Sequence, residues 1–132
     1  MQFYEHRIHE DNRRKGHYDI IPGLDGDMNF SVQNPNIYPD ELHMHKIHTD
    51  YFAVAKGKVF FRMVREDGQE EHTVLEEKDD KTLIIPPGIW HHYVALEPSI
   101  LVFYTDRKYD PNDEFRKKID PAEWEKIIKK PE

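Results

Sequence analysis

Residues 43–57 read HMHKIHTDYFAVAKG, and residues 86–92 read PPGIWHH. Side chains two apart on a strand share a face, so His43 and His45 project together. In the segment that follows, Asp50, Phe52 and Val54 share a face, and the two apolar members turn that face inward. A carboxylate carried inward costs free energy unless a charge or hydrogen bond meets it. Two imidazoles and a carboxylate converging on a cation answer that cost. Neutral imidazole nitrogen and carboxylate oxygen suit divalent zinc, iron, manganese or nickel. In the second stretch Pro86-Pro87-Gly88 fixes the entry to a strand. His91 there shares a face with Tyr93, and His92 shares one with Val94 and Leu96.

Around these stretches the chain is a series of short β-rich runs: HMHKI, DYFAVA, KVFFRMV, EHTVL, TLIIP, HHYVAL and ILVFYT. Asp67-Gly68 between two of them signals a hairpin, because glycine accepts the positive φ of the turn. Pro22 to Pro39 is punctuated by Gly and Pro, which favours strands and turns over helix. Residues 1–18 are polar and fit an edge strand or a loose arm. Many short strands without intervening helices mean a sandwich or barrel. The tail differs: Asp120, Pro121 and Glu123 read as a helix start with a capping box. Trp124, Ile127 and Ile128 then fall on one helical face, with Lys129 and Lys130 at the negative end of the helix dipole.

The chain has 132 residues, a size for one domain over 1–132. Seven Phe, seven Tyr and two Trp supply a core despite 34% charged residues. A net charge of −7 argues against a nucleic-acid or anionic-membrane surface, though a local Arg can still meet a small anionic substrate. Without cysteine there are no disulfides or thiolate metal sites. With no apolar run of membrane-spanning length and no signal-like start, a cytoplasmic protein is expected.

The segment H-x-H-x4-D-x6-G from His43 to Gly57, with Pro86-x-Gly88-x2-His91, resembles the two motifs of the cupin superfamily over about residues 36–106. The resemblance implies an all-β, single jelly-roll barrel with a short C-terminal helix at about 120–130. Carried over by position, His43, His45 and His91 take the histidine ligand places, and Asp50 takes the place usually held by Glu. His48 is a substitute ligand if the strand bends there and otherwise a surface group or one behind the ligands, and His6, His9, His17 and His72 are read as solvated.

A narrower resemblance lies in IIPPGIWHHYVALEPSILVFYTDRKYDPNDE. It is similar to the end of the barrel in cupins acting on nucleotide-linked sugars, such as dTDP-4-dehydrorhamnose 3,5-epimerases and dTDP-keto-sugar isomerases. The run His43–Lys46 is similar to the isomerase motif whose histidines act as acid/base groups. This implies proton transfer beside a sugar carbonyl, with His43 or His45 as base where no metal holds it and Tyr104 returning a proton. Arg62, Trp90 and Tyr93 are the expected substrate contacts, Arg62 through a phosphate. A homodimer is expected, because the resembling cupins commonly pair and the N-terminal segment can join a partner's sheet edge. The same residues leave two other readings open: a metal-dependent enzyme of another class, such as a dioxygenase, and a ligand-binding cupin without chemistry.

Overall fold

The structure, a computed structural model, describes residues 1–129 of the chain. Eleven strands form: β1 (Arg7–Glu10), β2 (Arg14–Tyr18), β3 (Asp27–Gln33), β4 (Glu41–Met44), β5 (Asp50–Lys56), β6 (Lys58–Val64), β7 (Glu70–Glu76), β8 (Leu83–Ile85), β9 (Trp90–Ala95), β10 (Ser99–Thr105) and β11 (Phe115–Lys118). One helix, α1 (Ala122–Ile128), follows. The strands make two antiparallel sheets, in the orders β1-β2-β3-β10-β5-β8 and β11-β4-β9-β6-β7. This is the expected cupin jelly roll with its short C-terminal helix. The sheets take in strands on either side of residues 36–106: β1, β2 and β3 before them and β11 after.

Alternation explains what lies between the sheets. Phe52 and Val54 of β5 meet Val59 and Phe61 of β6, Tyr93 of β9 and Leu101 of β10 in one buried cluster. Residues of opposite parity build a second cluster on the outside of the five-stranded sheet: Leu42, Phe60 and Val94 against Trp124. Gly57 makes the tight link from β5 to β6 at φ +90°, and a Cβ there would stand 2.6 Å from the Pro98 carbonyl oxygen. Only glycine satisfies both the conformation and the space. Gly68 turns the β6–β7 hairpin at φ +89°, as Asp67-Gly68 predicts.

The helix start is also as read. The Ala122 amide donates to Asp120 Oδ1 (3.0 Å) and the Asp120 amide to Glu123 Oε2 (3.1 Å). Trp124 seats the helix, fully buried, with Nε1 donating to the Pro39 carbonyl at 2.9 Å. Lys130, expected with Lys129 at the helix end, lies outside the described residues. The polar arm becomes β1 and β2 at the edge of the six-stranded sheet. Among the described residues no helix is long and apolar enough to cross a membrane.

Candidate metal centre and cavity

A cavity of about 480 Å³ is lined by His43, His45, His48, Asp50, His91 and Tyr93 together. The two sequence stretches meet directly there. His43 of β4 lies opposite His91 of β9 in the ladder, and the Gly88 amide donates to the His45 carbonyl at 2.8 Å.

Backbone acceptors orient two of the rings. His45 Nδ1 donates to the Asp113 carbonyl at 2.8 Å, and His91 Nδ1 donates to the Ile89 carbonyl at 2.9 Å. A carbonyl oxygen only accepts, so Nδ1 carries a hydrogen in both rings, and a ring in its neutral form turns an Nε2 lone pair toward Asp50. These nitrogens lie 3.7 Å and 3.2 Å from Asp50 Oδ2. Lone pairs and a carboxylate facing one another repel unless a proton or a cation stands between them. Ligands at metal–donor distances of about 2.1 Å in a tetrahedral shell are about 3.4 Å apart. His45, Asp50 and His91 therefore fit a divalent ion both in donor chemistry and in spacing. Orientation of ligating imidazoles by backbone carbonyls is the usual second layer of such a site.

A second donor group overlaps the first: His45, His48 and Asp113. Its carboxylate is already engaged, accepting from the Lys46, Ile47 and His48 amides at 2.7, 3.2 and 3.4 Å. Asp113 thus fixes the 45–48 turn, while its carbonyl orients His45. His48 lies against His45 with ring centroids 3.9 Å apart and the planes tilted by 30°. Its Nε2 lies 3.1 Å from Asp50 Oδ1 yet makes no hydrogen bond.

The electrostatics follow from these contacts. Burial pushes Asp50 up, but His48 and His91 in their protonated forms outweigh it and hold the carboxyl well below the usual range. Burial lowers both His45 and His43, keeping them neutral. For His48 burial also lowers the pKa, but Asp50 and Asp113 reverse the direction and raise it. Burial raises Asp113, and the three amides bring it back below its ordinary value. Burial raises the Tyr93 phenol, and the Arg14 and Arg13 charges more than offset this.

The residues expected from sequence divide accordingly. His45, Asp50 and His91 come together as one donor group. His43 lines the same cavity outside both groups, with Nε2 3.2 Å from Glu41 Oε1 and Nδ1 3.8 Å from Glu114 Oε1. Tyr93 faces the cavity. Tyr104 does not: Leu101 of β10 points inward, so Tyr104 points outward, its ring 6.1 Å from that of Tyr51. Arg62 is also misplaced by the sequence reading. Its neighbour Phe61 is inside, so Arg62 lies on the outer face, where Nη2 donates to Glu70 (2.6 Å) and Glu123 (3.1 Å). Trp90 packs on the outer cluster because His91 and Tyr93 take the inward positions of β9. His48, open in the sequence to a substitute-ligand, a surface or a supporting place, is buried at the centre and belongs to the second donor group.

Asp113, which orients His45 and holds the Lys46 amide, and Arg14, which lines the cavity, are not singled out by sequence reasoning. For Asp113 the local sequence Asp110-Pro111-Asn112-Asp113 signals a turn. Nothing in it shows that the turn reaches residues 46–48.

With this geometry in view, comparison with known proteins is direct. The model of the WxcM-like, C-terminal (FdtA) family matches residues 30–126. The chain belongs to that family. It is thereby a cupin of the RmlC-like superfamily. No curated protein matches it in sequence. Among solved structures it is similar to CapF, a capsular polysaccharide assembling protein from Staphylococcus aureus. The TM-score is 0.75 at 18% identity, over 89% of this chain and 32% of that one. CapF with the inhibitor 3-isopropenyl-tropolone gives 0.74 at 20% identity, over 85% and 34%. Oxalate decarboxylase from Bacillus subtilis gives 0.71 at 17% identity, over 87% and 31%. At these identities the likeness is one of fold, and the chain spans about a third of the length of each. The WxcM-like match and the two His/Asp groups together support a metal-binding cupin.

Proposed function

We propose that this WxcM-like chain is a divalent-metal cupin enzyme that isomerises or epimerises a sugar, carried on a nucleotide, at a carbon beside a carbonyl. The observation that carries the reading is the division of labour among the cavity histidines. Two imidazole lone pairs turn on Asp50, and a third imidazole, His43, stands beside them outside the donor group. One ring cannot both hold a metal and take a proton, and here different rings are available for the two tasks.

His45, Asp50 and His91 would hold the ion. When bound, it supplies a positive charge for an oxygen on which negative charge develops. His43, neutral through burial, takes the proton from the carbon next to the carbonyl, and the electron pair moves toward the carbonyl oxygen. Glu41 beside Nε2 stabilises the imidazolium so formed. For isomerisation His43 gives the proton to the former carbonyl carbon while the hydroxyl proton passes from one oxygen to the other. Epimerisation takes the new proton from a second donor on the opposite face, a role open to Tyr93, which also lines the cavity. Asp27 and Asn29 on the inward side of β3 line the cavity as partners for sugar hydroxyls. At the mouth, the Arg7 guanidinium lies 5.4 Å from the Tyr18 ring and 5.9 Å from the Tyr109 ring, a cation set for phosphate oxygens. The nucleotide-sugar part of the reading draws on the resemblance of residues 84–114 to sugar cupins and on the likeness in fold to CapF, a capsular polysaccharide assembling protein. We further propose a second copy of the chain as the macromolecular partner.

The test is proton exchange in heavy water with a nucleotide-linked 4-keto sugar, read by NMR, alongside elemental analysis of the protein. Deuterium entering beside the carbonyl, and not in His43→Ala, supports the reading. Substrate-dependent oxygen uptake by the iron-loaded protein would replace it with an oxygenase, and sugar binding without exchange with a non-catalytic cupin.

A further inference from the structure

Arginine stays charged at every accessible pH, and a buried guanidinium is stable when an anion or several acceptors surround it. The chain has 26 acidic residues, and its cations find them readily. Arg62 pairs with Glu70 and Glu123, Arg65 with Glu71, Arg116 with Glu41 and Glu114, and Lys108 with Asp19 and Asp27.

Arg13 and Arg14 break this pattern. Arg14 starts β2, opposite Gln33, and lines the barrel cavity. Its Nη1 donates to the Tyr93 hydroxyl at 2.8 Å, while its Nε is buried with no partner. Arg13 sits with its guanidinium carbon 5.3 Å from the Tyr93 ring centroid, and its Nη1 is likewise buried and unpartnered. Among the described residues neither guanidinium has a carboxylate within salt-bridge distance. β2 and β3 pair so that Arg14 and Gln33 lie at the far end from Asp27, and Asp27 aligns through Thr105 with Asp50. Arg14 therefore starts from the far end of the sheet, and its guanidinium reaches Tyr93 and lies 5.9 Å from the Tyr18 ring in the same cavity. In such surroundings an unpaired charge attracts an anion more strongly than it would in water.

We propose that Arg14, supported by Arg13 and Tyr93, forms a second subsite in the barrel that receives an anionic oxygen group of the substrate. The fork of a guanidinium suits two oxygens of one group, as in a carboxylate or a phosphoryl. The substrate is then anchored at two points of the cavity, its carbonyl at the histidine cluster and its anion at Arg14. The inference rests on the proposed sugar reading only for the scaffold that joins the two points.

The experiment is isothermal titration of chelator-dialysed protein at low salt with inorganic phosphate, D-glucuronate and D-glucose, with metal reloading measured separately. Wild type is expected to bind one of the two anions and to bind glucose more weakly. Glucuronate alone identifies a carboxylate, phosphate alone a phosphoryl group. Arg14→Gln should weaken the anion by about tenfold or more, the loss of charge-assisted hydrogen bonds, with metal uptake unchanged. Arg14→Lys keeps the charge without the fork and tests the same point where the Gln variant does not fold; it too should weaken binding. Equal affinity in wild type and the folded Arg14 variants, or no anion binding at millimolar concentration, overturns the subsite. Arg14-dependent binding without metal uptake leaves the subsite standing and removes the metal reading instead.

Discussion

Asp50 is the residue on which the centre turns, since His45, His48 and His91 all approach its two oxygens within 3.1–3.7 Å. Replacing His45 or Asp50 with Ala is expected to abolish stoichiometric metal in elemental analysis. His72→Ala should leave it unchanged, because His72 pairs with Glu70 at 2.8 Å on the outside of the barrel. His43 behaves differently under the proposed division of labour. His43→Ala should retain metal while losing about 10²–10⁴-fold in proton exchange, the usual worth of a positioned base. A variant that lost metal with His43 would place this ring back among the ligands.

At the scale of elements, α1 and the β6–β7 hairpin are joined through Arg62, which reaches Glu70 on β7 and Glu123 on the helix. The Arg62 hydrogen bond holds the Glu70 carboxyl below its ordinary value. An acid whose folded pKa is depressed adds stability above its unfolded pKa of about 4.3, and that contribution is lost as pH falls through the folded value. Thermal melts between pH 6 and pH 3 should therefore show a shallower decline in Glu70→Gln than in wild type. Trp124 tests the helix itself. It is fully buried, so Trp124→Ala should cost about 3–5 kcal/mol in denaturant unfolding. Metal affinity in the folded fraction should not change, because the helix covers the outside of the sheet and the centre lies inside.

Across the whole molecule, nothing among the described residues packs as a layer on the outside of the six-stranded sheet. α1 packs on the five-stranded sheet, while the outside of the six-stranded sheet carries Ile8, Val32 and Ile84 at 46–57% exposure beside Phe30, Ile100 and Val102. Apolar area of this kind marks an association surface. A second copy covering it gives twice the 15.9 kDa chain mass by light scattering at micromolar concentration. Val32→Lys and Ile84→Lys, at exposed positions that tolerate charge, should shift the protein toward monomer. A monomeric wild type would argue against the pairing.

Much of the barrel could be read locally. Period-two alternation in the strands, the Asp67-Gly68 turn and the Asp120–Glu123 cap depend on neighbours a few residues apart, and the sequence determined them. It also determined that His45, Asp50 and His91 share an interior, because the parity of Phe52 and Tyr93 declares the inward side. The same rule, applied to Phe61 and Met63, already points Arg62 outward, and applied to His91 it excludes Trp90. What parity cannot supply is distance across the fold. The tertiary structure alone brings Asp113 onto the amides of residues 46–48, draws His48 inside against Asp50, and leaves His43 outside the donor group. It also sends Arg14 of an apparently loose polar arm into the barrel against Tyr93, 79 positions away. A side chain's charge and reach are written in the sequence; which acceptor it meets depends on the closure of two sheets, and only the folded chain decides that.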